Sequence, residues 1–205
     1  MTVEFASIDW RGRAVRIEHR WIGPREGDAP LVVFLHEGLG SVAMWKDFPD
    51  RLCADAGVRG LVFSRPGYGR STPRAEGEVW DVDFMHRQAH EVLPAFFDAI
   101  GLDEKPWLFG HSDGGSIALL YASRFPERTQ GLVLLAPHIF VEDVTVANIA
   151  LARRPARAPG PLPRRRGFGL RGLERHLAAP ALSRLEHRER ARRHPLPGAG
   201  DPGHR

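Results

Sequence analysis

Four short, unbroken apolar runs constrain this chain more than anything else in it. They are "LVVFLH" (31–36), "GLVFS" (60–64), "PWLFGH" (106–111) and "GLVLLAP" (131–137). Each is bounded by turn-forming residues and is too short for a core helix, so each reads as a strand buried on both faces. Helical stretches lie between them. Residues 41–56 follow Ser41 as a cap, and 113–125 follow a glycine turn. Over 82–100, Met85, Ala89, Val92, Leu93, Phe96, Phe97 and Ile100 recur at steps of three and four, which makes one apolar stripe on a helix. Buried strands alternating with helices imply the α/β class: a mostly parallel sheet with helices on both faces. Residues 3–9 and 13–22 alternate apolar and polar residues instead, which predicts an antiparallel pair near a sheet edge.

The pattern breaks near residue 150. Residues 151–205 hold 14 Arg and no Lys against four acids (Glu174, Glu186, Glu189, Asp201), together with 8 of the 17 prolines. The chain as a whole is only +4, so the part before this segment is net acidic and the high isoelectric point belongs to the segment alone. Val, Ile, Trp, Tyr, Thr, Asn, Gln and Met are absent there, which leaves too little apolar surface to offset the entropy of ordering it. Pro180 interrupts the one helix-like stretch. The expected organisation is a core over 1–140, the start of a cap over 141–152 and a basic low-complexity tail over 153–205, with the sheet incomplete at its C-terminal end. Cys53 is the only cysteine, so no internal disulfide can form and a reducing compartment fits. The N-terminus has no apolar run of signal-peptide length and no stretch approaches a membrane span. A cytoplasmic protein with no membrane association is the expectation.

The chemistry concentrates in "LFGHSDGGSIALLYA" (108–122). Gly110-His111-Ser112-Asp113-Gly114 satisfies G-x-S-x-G between an apolar strand run and a helix. A serine on so tight a turn needs small neighbours, and the helix it opens favours developing negative charge. Ser112 is therefore the candidate nucleophile; the competing reading is a glycine-rich packing turn. Acyl transfer also needs two N–H donors for an oxyanion. Asp113 follows the nucleophile and supplies one candidate. Gly38, in "LHEGLGS" (35–41) after the first apolar run, supplies the other. His36 reads as a structural hydrogen-bonding residue of that loop. It joins Glu37, His111 and His138 as candidates near the pocket.

With these motifs in place, the chain resembles the alpha/beta-hydrolase family. The matching stretches are "FLHEGLGS", "FSRPGYGRST" and "LFGHSDGGSIALLYA", in family order across roughly residues 25–140. The likeness is closest to the esterase-like and peptidase-like branch, whose members cleave small acyl substrates without a cofactor. Glu37 stands where the family loop often has Gly. Its side chain either reaches the pocket and shapes selectivity or points to solvent. A serine rather than an aspartate at the elbow separates this chain from the dehalogenase and epoxide-hydrolase branches.

The resemblance implies a triad in the order Ser, acid, His, each partner following a later strand. His138 precedes any such acid-bearing strand, so it is assigned to the pocket wall. His176, His187, His194 and His204 lie in the arginine-rich segment with no strand run before them, and the acids there share the defect. His111 adjoins the nucleophile on a strand whose successive side chains face opposite ways. By this reading no credible base is supplied and the chain turns over little or not at all. Two explanations of the tail remain open. One is translation out of frame after about residue 152. Suitable codons for "GLERHL" read Gly-Trp-Asn-Asp-Ile-Trp one base on, and codons for "HPLPGAGDPGHR" can conceal "IRCPVLAIQGI", a buried strand leading to an acid. The other is a natural, disordered basic tail. The favoured function is a serine hydrolase of a small acyl substrate, impaired as written. The competing function is a non-catalytic fragment whose arginines bind nucleic acid or another polyanion. Phe168 is the one aromatic residue in 151–205, so that reading lacks a base-stacking platform.

Overall fold

The computed structural model of the chain describes residues 2–139. The proposed cap start (141–152), the basic segment (153–205) and the histidines and acids within it lie outside the described residues. Six strands form one sheet: β1 (Glu4–Trp10), β2 (Arg13–Ile22), β3 (Leu31–Leu35), β4 (Arg59–Phe63), β5 (Trp107–His111) and β6 (Gly131–Leu135). Their spatial order is β1-β2-β4-β3-β5-β6. β1 and β2 pair antiparallel, as does β2 with β4, and β4, β3, β5 and β6 run parallel. The four apolar runs thus become the parallel half of the sheet and the two alternating segments its antiparallel edge.

Alternation along β3 divides the core in two. Leu31, Val33 and Leu35 pack with Leu61, Phe63 and Leu108 and with Phe96, Phe97, Ile117 and Tyr121 from helices on one face. Val32 and Phe34 pack with Val62, Phe109 and Cys53 on the other. Burying each such side chain contributes about 1.5–3 kcal/mol relative to exposure. Helix α1 (Phe48–Ala56) covers the second face. It approaches β4 at Gly60, where a Cβ would stand 2.7 Å from Cys53 Sγ and 3.0 Å from Ile22 Cδ1. On the first face lie α2 (Phe84–Arg87), a π-helical turn (Gln88–Val92), α3 (Leu93–Ala99) and α4 (Asp113–Arg124). Among the described residues no helix is long and apolar enough to cross a membrane.

Two helices depart from the sequence reading. Residues 41–47 do not begin α1; they form successive turns, with Ser41 Oγ accepting from the Met44 N–H at 3.3 Å. Lys46 takes φ 53°, which ends those turns, and Pro49 then opens the helix. A proline at the start of a helix loses no hydrogen bond, because that N–H has no partner in the helix anyway. The expected single helix over 82–100 contains the π turn, which ends at Val92, two residues before Pro94. Pro94 has no N–H to offer the carbonyl four residues earlier, and the ladder widens there.

One buried carboxylate ties the edge of the sheet to the loops above it. Glu18 of β2 is almost wholly buried, and its Oε2 accepts from Ser64 Oγ and the Arg70 N–H, each at 2.8 Å. Ser64 Oγ in turn accepts from the Val42 N–H at 2.9 Å. The loop after β3 and the loop after β4 are thereby joined through one hydroxyl. Glu18→Ala leaves the Ser64 hydroxyl and the Arg70 N–H without their acceptor, at a cost of about 1–3 kcal/mol. Urea unfolding should show a lower midpoint with an unchanged slope.

Candidate active site

The strand β5 ends at His111 and helix α4 begins at Asp113, so the whole reversal falls on Ser112. Its backbone sits at φ 53°, ψ −118°, a region that an L-residue occupies only under constraint. The constraint comes from both sides. The Ser112 N–H donates to the Leu135 carbonyl at 2.8 Å, and the Ser112 carbonyl accepts from the Gly115 and Ser116 N–H groups at 2.9 and 3.1 Å. The glycines make the corner passable. A Cβ at Gly110 would lie 2.5 Å from the Gly114 carbonyl oxygen, and one at Gly114 would run into the backbone of Leu35. The Asp113 N–H, first in its helix, has no intrahelical partner and is free to meet a ligand.

The loop after β3 adjoins this corner, because β3 and β5 are parallel neighbours. His36 is fully buried beneath it. The imidazole Nε2 accepts from the Arg65 N–H at 3.0 Å, so Nδ1 carries the proton and donates to the Glu37 carbonyl at 2.7 Å. Burial, and secondly the Arg65 guanidinium, hold this imidazole well below its ordinary pKa, so it stays neutral. His36 is therefore the structural residue that its place in the loop suggests, but it does not line a pocket. Gly38 is buried within the same loop. The Glu37 side chain is about one-third exposed and its Oε2 is 3.8 Å from His111 Nδ1. These two form a carboxylate–imidazole pair at the rim beside Ser112.

His138 occupies a place that its position in the chain did not foretell. Its Nε2 is 2.8 Å from Ser112 Oγ. The sequence order assigns it to the pocket wall, on the ground that no acid-bearing strand precedes it. The fold brings it to the serine directly, because β5 and β6 are parallel neighbours and both chains turn at the same sheet edge. Ser116, one turn into α4, pins its backbone. The His138 N–H donates to Ser116 Oγ at 2.8 Å, and the Ser116 hydroxyl is 2.9 Å from the His138 carbonyl. Ser116 carries no motif and sequence reasoning passed over it; the signal was only its i, i+4 relation to Ser112. Asp113 Oδ1 lies 3.8 Å from His138 Nε2, the same nitrogen that faces the serine. Among the described residues no carboxylate reaches the other ring nitrogen in the manner of a third triad member.

Arg65 is the residue that sequence reasoning missed altogether. It sits in "FSRPGYGRST" and is 1% exposed. Its guanidinium Nη2 donates to the Glu37 carbonyl at 2.9 Å and lies 3.8 Å from Asp113 Oδ2. Tyr68 and Phe84 cover it, with ring centroids 4.6 and 5.5 Å from Cζ. A cavity of about 550 Å³ borders the same loop, lined in part by Leu39, Gly40, Ser41, Tyr68 and Arg74.

Residues 30–190 match the family model described as the alpha/beta hydrolase fold. The chain belongs to this family. Among curated relatives, it is 35% identical over 121 residues to human 1-acylglycerol-3-phosphate O-acyltransferase ABHD5, covering 58% of this chain and 32% of that protein. It is 30% identical over 117 residues to 2-hydroxy-6-oxo-6-phenylhexa-2,4-dienoate hydrolase of Comamonas testosteroni, covering 54% of this chain and 37% of the relative. The chain thus spans about a third of the length of these proteins. The fold is shared with the crystal structure of a probable hydrolytic enzyme from Pseudomonas aeruginosa PAO1. There the TM-score is 0.56 at 23% identity, covering 72% of this chain and 45% of the other.

The neutral buried His36 has a consequence for stability. Its folded pKa is depressed, so the unfolded chain binds the proton first as pH falls. The stabilising contribution is full above about 6.5, the unfolded value, and is lost progressively below it. His19, also buried and depressed chiefly by desolvation, acts with the same sign. Unfolding midpoints measured from pH 8 down to pH 5 should fall, and His36→Gln, which cannot titrate, should flatten part of that slope.

Proposed function

We propose that this protein is a serine hydrolase acting on small acyl esters through an acyl-enzyme on Ser112. The observation that carries the reading is the 2.8 Å approach of Ser112 Oγ to His138 Nε2 at a strained strand-to-helix corner. The tautomer with its proton on Nδ1 leaves Nε2 free to take the serine proton as Oγ attacks the acyl carbon. Charge then develops on the acyl oxygen, where the Gly38 and Asp113 N–H groups are the proposed donors. The Asp113 carboxylate lies 3.8 Å from the same nitrogen. Collapse expels the alkoxide, which takes the proton back from Nε2. Water, deprotonated by the same nitrogen, attacks the acyl-enzyme and releases the acid and free Ser112. No metal or cofactor enters these steps. The relatives named as an O-acyltransferase and as a hydrolase are in keeping with a site that holds an acyl group in transit.

His138 is thus proposed as the base, not only as pocket wall, and Ser116 as the residue that holds it. Cleavage of p-nitrophenyl acetate and butyrate tests the scheme. Ser112→Ala and His138→Ala should each lower kcat by about 10³-fold or more, because members of such a unit act together. Ser116→Ala frees the His138 backbone and should lower kcat by about tenfold with little change in KM. Wild-type turnover that survives Ser112→Ala unchanged would overturn the assignment.

A further inference from the structure

We infer that Arg65 is a positioning residue for catalysis: its buried cation polarises the Glu37–Gly38 peptide from behind and strengthens the Gly38 N–H as an oxyanion donor. The inference rests on the proposed role of Gly38 in hydrolysis and adds a charge to it.

The geometry is that of a planar amide. In a trans peptide the C=O and the N–H point in opposite directions, so whatever fixes one fixes the other. The Glu37 carbonyl accepts three hydrogen bonds: from His36 Nδ1 at 2.7 Å, from Arg65 Nη2 at 2.9 Å and from the Gly40 N–H at 3.0 Å. A carbonyl held by three donors cannot swing, and the Gly38 N–H on the far side of the same peptide is aimed away from them. One of the three donors carries a full positive charge. Arg65 is 1% exposed, beneath Tyr68 and Phe84, so little water screens that charge. A cation at the carbonyl end of an amide draws electron density towards oxygen and leaves the N–H more positive. The alignment is in place before the reaction starts, so no reorganisation is needed when the oxyanion forms.

Two further contacts fit this role better than a purely architectural one. Burying an arginine is costly unless its donors are satisfied, yet Arg65 Nη1 has no hydrogen-bond partner among the described residues. The nearest carboxylate, Asp113 Oδ2, is 3.8 Å from Nη2 and is itself unpartnered. The two form a buried ion pair at 3.8 Å, beyond hydrogen-bond distance, whereas the Glu37 carbonyl receives a direct hydrogen bond from the guanidinium at 2.9 Å. Asp113 is also the residue whose N–H is the second proposed donor.

The experiment compares the full chain with Arg65→Met, which keeps the length and removes the charge, and Arg65→Lys, which restores a charge. Hydrolysis of p-nitrophenyl acetate gives kcat and KM, and thermal unfolding confirms that each variant is folded at the assay temperature. The Gly38 amide resonance, read in a ¹H–¹⁵N spectrum, reports the polarisation without any turnover. Arg65→Met should lower kcat by about tenfold, below the loss from deleting a donor outright, with KM within about threefold. It should also move the Gly38 amide proton upfield, and Arg65→Lys should recover much of both. An Arg65→Met chain that is folded, with kcat and the Gly38 resonance both unchanged, overturns the inference. If Arg65→Met does not fold, Arg65→Lys against Arg65→Gln carries the comparison, and equal kcat and equal Gly38 shifts in those two overturn it. Wild-type protein without Ser112-dependent hydrolysis sinks the proposed function instead, and the Gly38 shift then decides the polarisation by itself.

Discussion

The structure around the site depends on the hydrogen bonding of a single carbonyl oxygen, that of Glu37. It stands at the start of the loop after β3 and gathers the His36 imidazole, the Arg65 guanidinium and the Gly40 N–H. Two of those donors come from side chains that are fully buried. Neither could remain in the interior without that acceptor, since an unsatisfied buried donor costs about 1–3 kcal/mol and a charged one more. His36 is neutral and presents an acceptor to the Arg65 N–H, so β3 and the loop after β4 are fastened to each other at the C-terminal edge of the sheet. Everything that the catalytic proposal requires of Gly38 follows from the rigidity of that junction.

A second junction, through Glu18 and Ser64, supports the first from the antiparallel side. Gly69 shows how closely the chain is drawn in there. A Cβ on it would collide with the Glu18 carboxylate and the Ser64 hydroxyl, and its φ of 53° suits glycine in any case. His36, Ser64, Arg65 and Asp113 thus gather buried polar groups at the end of the sheet that carries the site, while Arg59, at the start of β4, is buried at the other end against Glu104. Backbone strain is present at the site end too, at Ser112, and positive φ also occurs at Arg11, Lys46 and Ala136. The stiffness of two satisfied hydrogen-bond networks can hold a residue in a backbone region that would otherwise cost about 1–3 kcal/mol.

Much of this was legible in the residues. The four apolar runs became the four parallel strands within a residue or two; β3 and β4 are buried throughout as expected, but β6 is not, with Val133 and Leu135 exposed among the described residues. The G-x-S-x-G stretch fell at a strand-to-helix corner, because glycines on both sides of a serine leave the chain free to turn where a Cβ would meet backbone. The helix over 41–56 was not legible. Ser41 has the chemistry of a cap and does receive a local N–H, but the competing turn signals at Lys46 and Pro49 prevailed. The break in the helix before Pro94 could have been anticipated from the proline alone.

Local pattern, then, determined the α/β class, the strands, the corner and the identity of Ser112 as its apex. Those depend on hydrophobic period and on which backbone angles a residue tolerates, and both are written along the chain. Tertiary structure alone decided which groups surround that apex. His138 is 26 residues from Ser112 and preceded by no acid, yet the parallel pairing of β5 with β6 sets it 2.8 Å from the hydroxyl. Arg65 looks in sequence like one more loop arginine. Only the packing of Tyr68 and Phe84 over it makes it a buried charge. Distance in space and removal of water convert ordinary side chains into a site, and neither is a property of the sequence taken one segment at a time.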